Sequence, residues 1–541
     1  MAYQLFSFIL LIPCLLGIGH VVSLKFGTLY PGISSKIVLG IVATSLVWTV
    51  LSFFIPLNIY VEISTLLLGY ASLYLNKMWK EGWNFLKNQN ILFYFTLFLV
   101  CLFSSFYPFI LDHFGYYVPT INWISKFGLV KGIGNLDLIL GQMSIWHIFQ
   151  AGFSHISDLY LRINGLVLLV YIFYIFEKKS WTHMVFLPFL FLFIQSPSPD
   201  LPVLAFSLLL LNEFLDKNKN ATLIFALSIW VFSIKPTVIW LPLFAFFYGF
   251  FILKSHFKFI LPGVFVLVLF LVKNVYCFGY PIFPIDFLDL NFSWKPNSEI
   301  MKTSAKVAVE KTFDMQFSFQ EIQKFTFTEK VKNWLFLEGI KSKIHLLFML
   351  SLVLFTLFTI KQKKKIIWIL YICILIKTIF VLAFSAQYRF FLELYFVIFY
   401  LLFQNTISKK TSTVIMGLCS VFIFLILSFP KIIQTQIPSF KLGYFLTGFE
   451  KDQLLHPVYF ELKNYQTFSL GNLTFHVSKD YPYNFDTPVP SISTAYIQEY
   501  YDAGIFPQLN GNGLKSGFVW KKLNREEMMH LNQILLHIKK P

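Results

Sequence analysis

The sequence predicts an all-α, multi-pass membrane helix bundle of about fourteen transmembrane helices, followed by a small extracytoplasmic α+β domain at the C-terminal end. Three observations carry this expectation. Of 541 residues, 57% are hydrophobic, 20% aromatic and only 13% charged, a composition that polar groups could not cover in water. Apolar runs near the length needed to cross a ~30 Å hydrocarbon core recur along the chain, at 6–22, 91–110, 165–176, 236–253, 259–272, 346–360, 366–384 and 414–427. Beyond residue 430 these runs stop and Gly, Pro, Asn and Asp rise.

Lysines order the spans. Lys77, Lys80 and Lys87 lie in one connection, Lys178 and Lys179 in another, Lys217 and Lys219 in a third. The series continues with Lys254 and Lys258, the cluster 361–365, then Lys409 and Lys410. The intervening short connections, 195–200 and 385–389, hold almost no Lys or Arg. Retention of basic loops on the cytoplasmic side explains the alternation. It places 111–157, 195–200, 277–343 and everything after 430 outside, in the plasma (inner) membrane of a cell whose high Phe, Ile and Lys usage suggests an AT-rich bacterial genome. The expected organisation is N-terminal transmembrane helices over 1–90, a transmembrane core over 91–430 with outer loops 111–157 and 277–343, and an extracytoplasmic domain over 431–541. In the last, alternation such as Leu473-Thr474-Phe475-His476-Val477 suggests short strands. The first apolar run lacks a basic leader and a cleavage site and reads as a retained helix. Near the N-terminus, Glu62 and Asn58 interrupt the run 56–75, so the number of early spans is the least defined.

The net charge of +17 does not signal nucleic acid, because the lysines fall in short clusters between apolar runs, where they face lipid headgroups. Five cysteines show no CxxC or Cys/His ligand spacing, so neither a disulfide framework nor a structural zinc site is expected. No P-loop is present, which argues against an ATP-driven transporter.

Charges beside apolar runs are the candidate functional residues, since a charge at membrane depth costs about 2.5–3.5 kcal/mol. Asp112 follows the run ending at 110, and is either a helix-end cap or a general base or metal ligand. His113 beside it reads as an interfacial polar contact. Glycines 128, 132 and 134 predict turns between short helices in the same loop, and 145–155 reads as an amphipathic helix in the interface plane. Asp200, in Ser198-Pro199-Asp200, is placed to cap the next helix or to share an outer cavity with Asp112. Lys235, before Pro236, either snorkels to headgroups or holds a phosphate. Arg389 forms an i,i+4 pair with Glu393 or binds an anionic phosphate. Arg162 and Lys273 lie near outer interfaces, and Lys377 is expected to pair within the bundle.

The stretch from His113 through Trp123, with Gly132-Ile133-Gly134-Asn135-Leu136, Ser198-Pro199-Asp200 and Tyr388-Arg389-Phe390, resembles the GT-C superfamily of polytopic glycosyltransferases, and more specifically a group of bacterial membrane proteins with GT-C-like organisation. The resemblance spans roughly 91–403. Many members carry two adjacent acids in the first loop, whereas here Asp112 is followed by His113. The resemblance implies transfer of a sugar from a polyprenyl-phosphate-linked donor to an acceptor on the outer face, in cell-surface glycan synthesis. Asp112 and Asp200 would be catalytic, with Lys235 and Arg389 on the donor phosphate. His113, Tyr117 and Asn135 would support the acceptor and its loop. A divalent cation (Mg or Mn) on Asp112 and Asp200 is the implied cofactor, and membrane lipids are the surroundings. A transporter or flippase of lipid-linked glycans, a polymerase or ligase of such glycans, and a non-catalytic membrane scaffold are the competing readings.

Overall fold

The structure, a computed structural model, describes residues 1–286, 288–404, 406–436, 447–459, 464–479, 481–482 and 484–539; parts of the expected C-terminal domain at 437–446, 460–463, 480, 483 and 540–541 lie outside them. It begins with three apolar helices, Ala2–Phe26, Ile33–Ser52 and Ile59–Leu75. Close approach binds the trio. A Cβ on Gly19 would strike the Lys36 carbonyl, one on Gly40 the Leu15 carbonyl, and one on Gly17 the Gly69 carbonyl. Small residues at such contacts allow the dispersion packing that replaces the hydrophobic effect in lipid. The residues that interrupt the third run have structural tasks. The Asn58 side chain accepts from the amides of Tyr60 and Val61 at 3.1 and 3.4 Å and starts the helix. Glu62 is fully buried and accepts from the amides of His155, Ile156 and Ser157 at 2.9, 3.0 and 2.7 Å.

Among the described residues, six helices are long and apolar enough to cross a membrane: the first two, the stretch 257–278, Ile340–Gln362, Lys365–Phe384 and Lys409–Ser428. The bent pair Met78–Lys87 and Ile91–Ser104 brings the number to seven if it forms one span. The sequence suggests about fourteen spans, and the remaining apolar runs form shorter helices such as Ile59–Leu75, Ala221–Ile234 and Leu392–Phe403. Some are broken by proline and irregular turns, as at Trp181–Phe186, Leu187–Leu190 and Phe191–Phe193. The helices Ile163–Lys178 and Asp200–Leu215 are apolar on all sides and almost wholly buried, as a helix at the centre of a bundle must be.

The lysine clusters lie at the opposite ends of the same helices from the acidic candidates: Asp200–Leu215 begins at Asp200 and runs into Lys217, and Ile163–Lys178 begins after Arg162 and ends at Lys178. Lys77, Lys179, Lys217, Lys254 and Lys363 all take left-handed backbone in the turns that close helices there, with φ between 51° and 55°. The conformation costs a non-glycine residue roughly 1–2 kcal/mol, while a cation at a helix C-terminus is favoured by the dipole.

One expectation is corrected. The stretch read as an interfacial helix forms Ile145–Gly152, and all eight of its residues are buried. Its apolar side meets Trp48 of the second helix, whose ring lies 6.0 Å from Phe149 and 4.6 Å from Phe153. Its first turn is closed by a capping box between Ser144 and His147.

Among its described residues, the C-terminal region holds two antiparallel hairpins. β1 (Tyr465–Leu470) pairs with β2 (Leu473–Ser478), and β3 (Ile505–Leu509) with β4 (Phe518–Lys522). Leu473, Phe475 and Val477 of β2 face inward while Thr474 is exposed, the period-2 pattern of a half-buried strand. Helices Thr494–Asp502 and Arg525–Lys539 complete this small α+β unit. It is docked on the loop after Asp112: the Phe518 amide donates to the Lys131 carbonyl at 2.9 Å, and Tyr500 donates to the carbonyls of Asn135 and Leu136 at 2.9 and 3.2 Å.

Candidate functional site

Four charged residues from four separate connections meet at one end of the bundle. Asp112 follows the helix Ile91–Ser104 and opens a π-helical turn, His113–Tyr117. Asp200 starts the helix Asp200–Leu215, where two prolines and the Ser198 hydroxyl, which accepts from the Asp200 amide at 3.2 Å, shape the entry. Lys235 ends Ala221–Ile234 in extended backbone, as expected of a residue before proline. Arg389 lies in the short 3₁₀ turn Tyr388–Phe390 ahead of Leu392–Phe403.

Arg389 Nη1 donates to Asp112 Oδ2 at 3.1 Å, and Lys235 forms an ion pair with Asp200. The two pairs are joined, because Lys235 Nζ also donates to the Arg389 carbonyl at 3.2 Å. Both cations lie over the Phe390 ring, Lys235 at 5.6 Å and Arg389 at 5.2 Å from its centre. The side chains of Arg389 and Asp112 are 34% and 32% exposed, so the outer pair is open to solvent. Lys235 and Asp200, at 16% and 20%, form the inner pair. Behind them Tyr117 donates to the Ser198 hydroxyl at 3.5 Å, and Ser198 to Asp200 Oδ2 at 3.2 Å.

Burial favours the neutral form of each neighbour. The Tyr116 and Tyr117 hydroxyls are pushed well above the usual tyrosine range, first by burial and then by surrounding negative groups that include Asp112. They remain protonated donors. Burial, the largest single influence, would lower the Arg389 guanidinium, but Asp112, Tyr116, Asp200 and Tyr117 together outweigh it and the net shift is upward. A third cation belongs to the cluster. Lys311, from the helix Ser298–Thr312, is held below its ordinary value by desolvation and by the neighbouring Arg389. That helix rests on the Arg389 connection, with Ser385 Oγ donating to the Ala308 carbonyl at 3.3 Å and Gln387 Nε2 to Ser385 Oγ at 2.8 Å. With the exposed Lys311 within electrostatic reach of Arg389 and Asp112, three cations stand near two carboxylates, one positive charge in excess.

The remaining candidates separate. His113 is buried against the Phe114 ring at 4.9 Å, and burial holds its imidazole well below the usual range, so it is neutral. Asn135 lies in a structural joint: its Nδ2 donates to the carbonyls of Trp294, Gly132 and Phe518 at 2.7, 3.2 and 3.3 Å. The expected Arg389–Glu393 pair does not form. Arg389 precedes the helix and turns to Asp112, while Glu393 pairs with Lys377 in full burial. Lys377 thus pairs within the bundle, as its sequence position suggests. Arg162, 1% exposed, donates to the carbonyls of Ser104, Tyr160, Phe106 and Val458 at 3.0, 2.6, 3.4 and 2.8 Å, fixing the backbone that leads to Asp112. Lys273 Nζ donates to the Met143 carbonyl at 2.7 Å.

Asp112 and Asp200 suit a divalent ion poorly. Each faces a cation, and no group of three His, Cys, Asp or Glu among the described residues could hold a metal. Asn164 is not among the residues singled out by sequence; its amide donates to the carbonyls of Phe193 and Ser198 at 2.9 Å each and accepts from Trp146 Nε1 at 2.9 Å. It holds the Asp200 turn in place. An Asn two positions after Arg162, at the start of an apolar run, is the signal in the sequence.

No curated protein and no solved structure matches the chain. A family model described as "Domain of unknown function (DUF8201)" matches residues 1–396, which include all four members of the ion-pair cluster and stop short of the two hairpins. With nearly three-quarters of its length matched, the chain belongs to the DUF8201 family.

Proposed function

We propose that this protein is a GT-C-like membrane glycosyltransferase that moves a sugar from a polyprenyl-phosphate-linked donor to an acceptor hydroxyl on the extracytoplasmic face. The observation that carries the reading is the joined pair of ion pairs, Asp112–Arg389 and Asp200–Lys235, at the end of the bundle away from the lysine clusters. Positive-inside retention puts that end outside. The site has the parts such a transfer needs. A donor phosphate entering beside Arg389 and Lys311 draws the guanidinium from Asp112 and frees its carboxylate. Asp112 then takes the proton of the acceptor hydroxyl. The acceptor oxygen bonds to the anomeric carbon as the bond from that carbon to the phosphate oxygen breaks, with inversion. The leaving polyprenyl phosphate gains one negative charge, which the excess cation of the cluster stabilises. Asp200 keeps Lys235 in place, and no step runs through a metal.

The test is direct. The purified chain in nanodiscs receives a polyprenyl-phosphate-linked radiolabelled sugar and a panel of cell-envelope acceptors. Label moving to an acceptor, with loss of transfer in Asp112→Asn at unchanged thermal stability, supports the reading. Unchanged transfer in that variant removes it. A second reading, a flippase of lipid-linked glycans, is favoured by the fully buried Lys377–Glu393 pair; movement of labelled lipid across proteoliposomes without chemical change would select it.

A further inference from the structure

The helix Met78–Lys87 stands apart from the rest of the N-terminal region. Its axis is bent by 105° from that of Ile91–Ser104, so if the second crosses a bilayer the first lies nearly flat on it. The bend is built. Gln89 Nε2 donates to the Phe85 carbonyl at 3.0 Å, Tyr94 donates to the Leu86 carbonyl at 2.9 Å, and the Asn90 side chain caps the second helix.

At 100° per residue the ten positions sort into three faces. Met78, Gly82 and Phe85 point to the bundle: Met78 is buried, and the Phe85 ring meets Phe93 at 5.7 Å and Phe173 at 5.1 Å. Trp79, Trp83 and Leu86 form the next face, and the two indoles are 49% and 64% exposed. Lys80, Asn84 and Lys87 form the third, and all are exposed. The acid of the helix is already committed, since Glu81 pairs with Lys36 at 2.6 Å. The outward charge is therefore purely basic, with Lys77 adding to it at the preceding turn. The apolar face continues the lipid-facing surface on either side: Leu68 and Leu75 of the preceding helix are 69% and 77% exposed, and Ile91 and Phe98 of the following one 83% and 49%.

We propose that Met78–Lys87 is a membrane-interface helix that binds anionic lipid headgroups, with Trp79, Trp83 and Leu86 seated at the headgroup–acyl boundary and Lys77, Lys80 and Lys87 on the lipid phosphates. Indoles prefer that depth, and clustered lysines there attract anionic lipid. The proposal is independent of any transfer chemistry. It also sets the level of the bilayer surface at the lysine-rich end.

Spin labels test the orientation in the full-length chain, with exposed Cys419 changed to Ser and the protein in phosphatidylcholine–phosphatidylglycerol vesicles. A label at Trp83→Cys should relax strongly with oxygen and weakly with a water-soluble nickel chelate, and a label at Asn84→Cys should do the reverse. Equal nickel access at both positions would place the helix in water. Protection from both reagents at position 83 would mean that protein covers it. Either result overturns the proposal. For the lipid arm, tryptophan quenching by brominated phosphatidylglycerol is measured as the part lost in Trp79→Phe/Trp83→Phe. It should fall several-fold in Lys77→Gln/Lys80→Gln/Lys87→Gln, while quenching by brominated phosphatidylcholine stays. Equal quenching by both lipids in the parent and the triple variant would overturn the headgroup assignment.

Discussion

The two ends of the bundle carry charge in different ways. At the lysine-rich end, Lys36 and Lys178 pair with acids of other helices, but Lys77, Lys179, Lys217, Lys254 and Lys363 are exposed on local turns that close the helix before them. At the other end the cations reach across the chain. Arg389 meets Asp112 across 277 positions, and Lys235 meets Asp200 across 35. Charge of the first kind serves topology and tolerates relocation within a loop. Charge of the second kind requires four connections to converge, and a structure maintains such convergence only when the meeting point has a use or when the whole fold leans on it.

Variants can break or sharpen this contrast. Asp112→Asn should lower sugar transfer by about 10²–10⁴-fold, the range of a lost general base. Asp216→Asn, which removes a partner of Lys178 at the lysine-rich end, should leave transfer unchanged in the same assay. Next in size is the buried pair beneath the site. Lys377→Met strands Glu393 without a counter-charge and should cost about 3–5 kcal/mol, read as a large fall in melting temperature in detergent. Adding Glu393→Leu should restore most of it.

A smaller, pH-dependent effect belongs to Asp137, which is fully buried where the loop after Asp112 meets the C-terminal unit. Its carboxylate accepts from Asn484 Nδ2, the Ser493 hydroxyl and the Ser493 amide at 3.1, 3.0 and 3.3 Å. Burial nevertheless pushes it up to about 6. A carboxyl raised on folding contributes stability that is complete below its unfolded value, near 4, and is lost as pH rises through about 6. Glu499, also raised to about 6 by burial and by Asp137, acts in the same sense. Amide exchange in Thr494–Asp502 should therefore be slower at pH 5 than at pH 8, after correction for intrinsic rates, by an amount on the order of 2 kcal/mol. Asp137→Asn should flatten the dependence. Smallest of all, Lys217→Gln with Lys219→Gln should change melting by less than about 0.5 kcal/mol equivalent.

How far the sequence could be read follows the same division. Asp112, Asp200, Lys235 and Arg389 are legible as candidates because each is a charge beside an apolar run, and that is a local property. Their pairing is not, since the partners lie in different connections. The Arg389–Glu393 expectation fails for a local reason too: i,i+4 geometry needs both residues in one helix, and Leu392–Phe403 begins after Arg389. The strand at Leu473 is legible in its alternation of apolar and polar residues. The location of Ile145–Gly152 was not, because an amphipathic pattern looks the same whether its apolar side meets lipid or the Trp48 ring. Asn135 and Tyr117 sat in one motif by sequence, yet one packs into a joint with Phe518 and the other reaches Ser198.

The joint at Asn135 has a consequence for the order in which the molecule is made. Its amide reaches the Phe518 carbonyl across 383 positions. At synthesis rates of roughly 5–20 residues per second, this separation amounts to about 20–80 s. During that interval the loop bearing Asp112 has left the ribosome while the strand that completes its support is still unborn. Until then the carbonyl that the Asn135 amide meets does not exist, and the surface around that joint is complete only after Phe518 has been made.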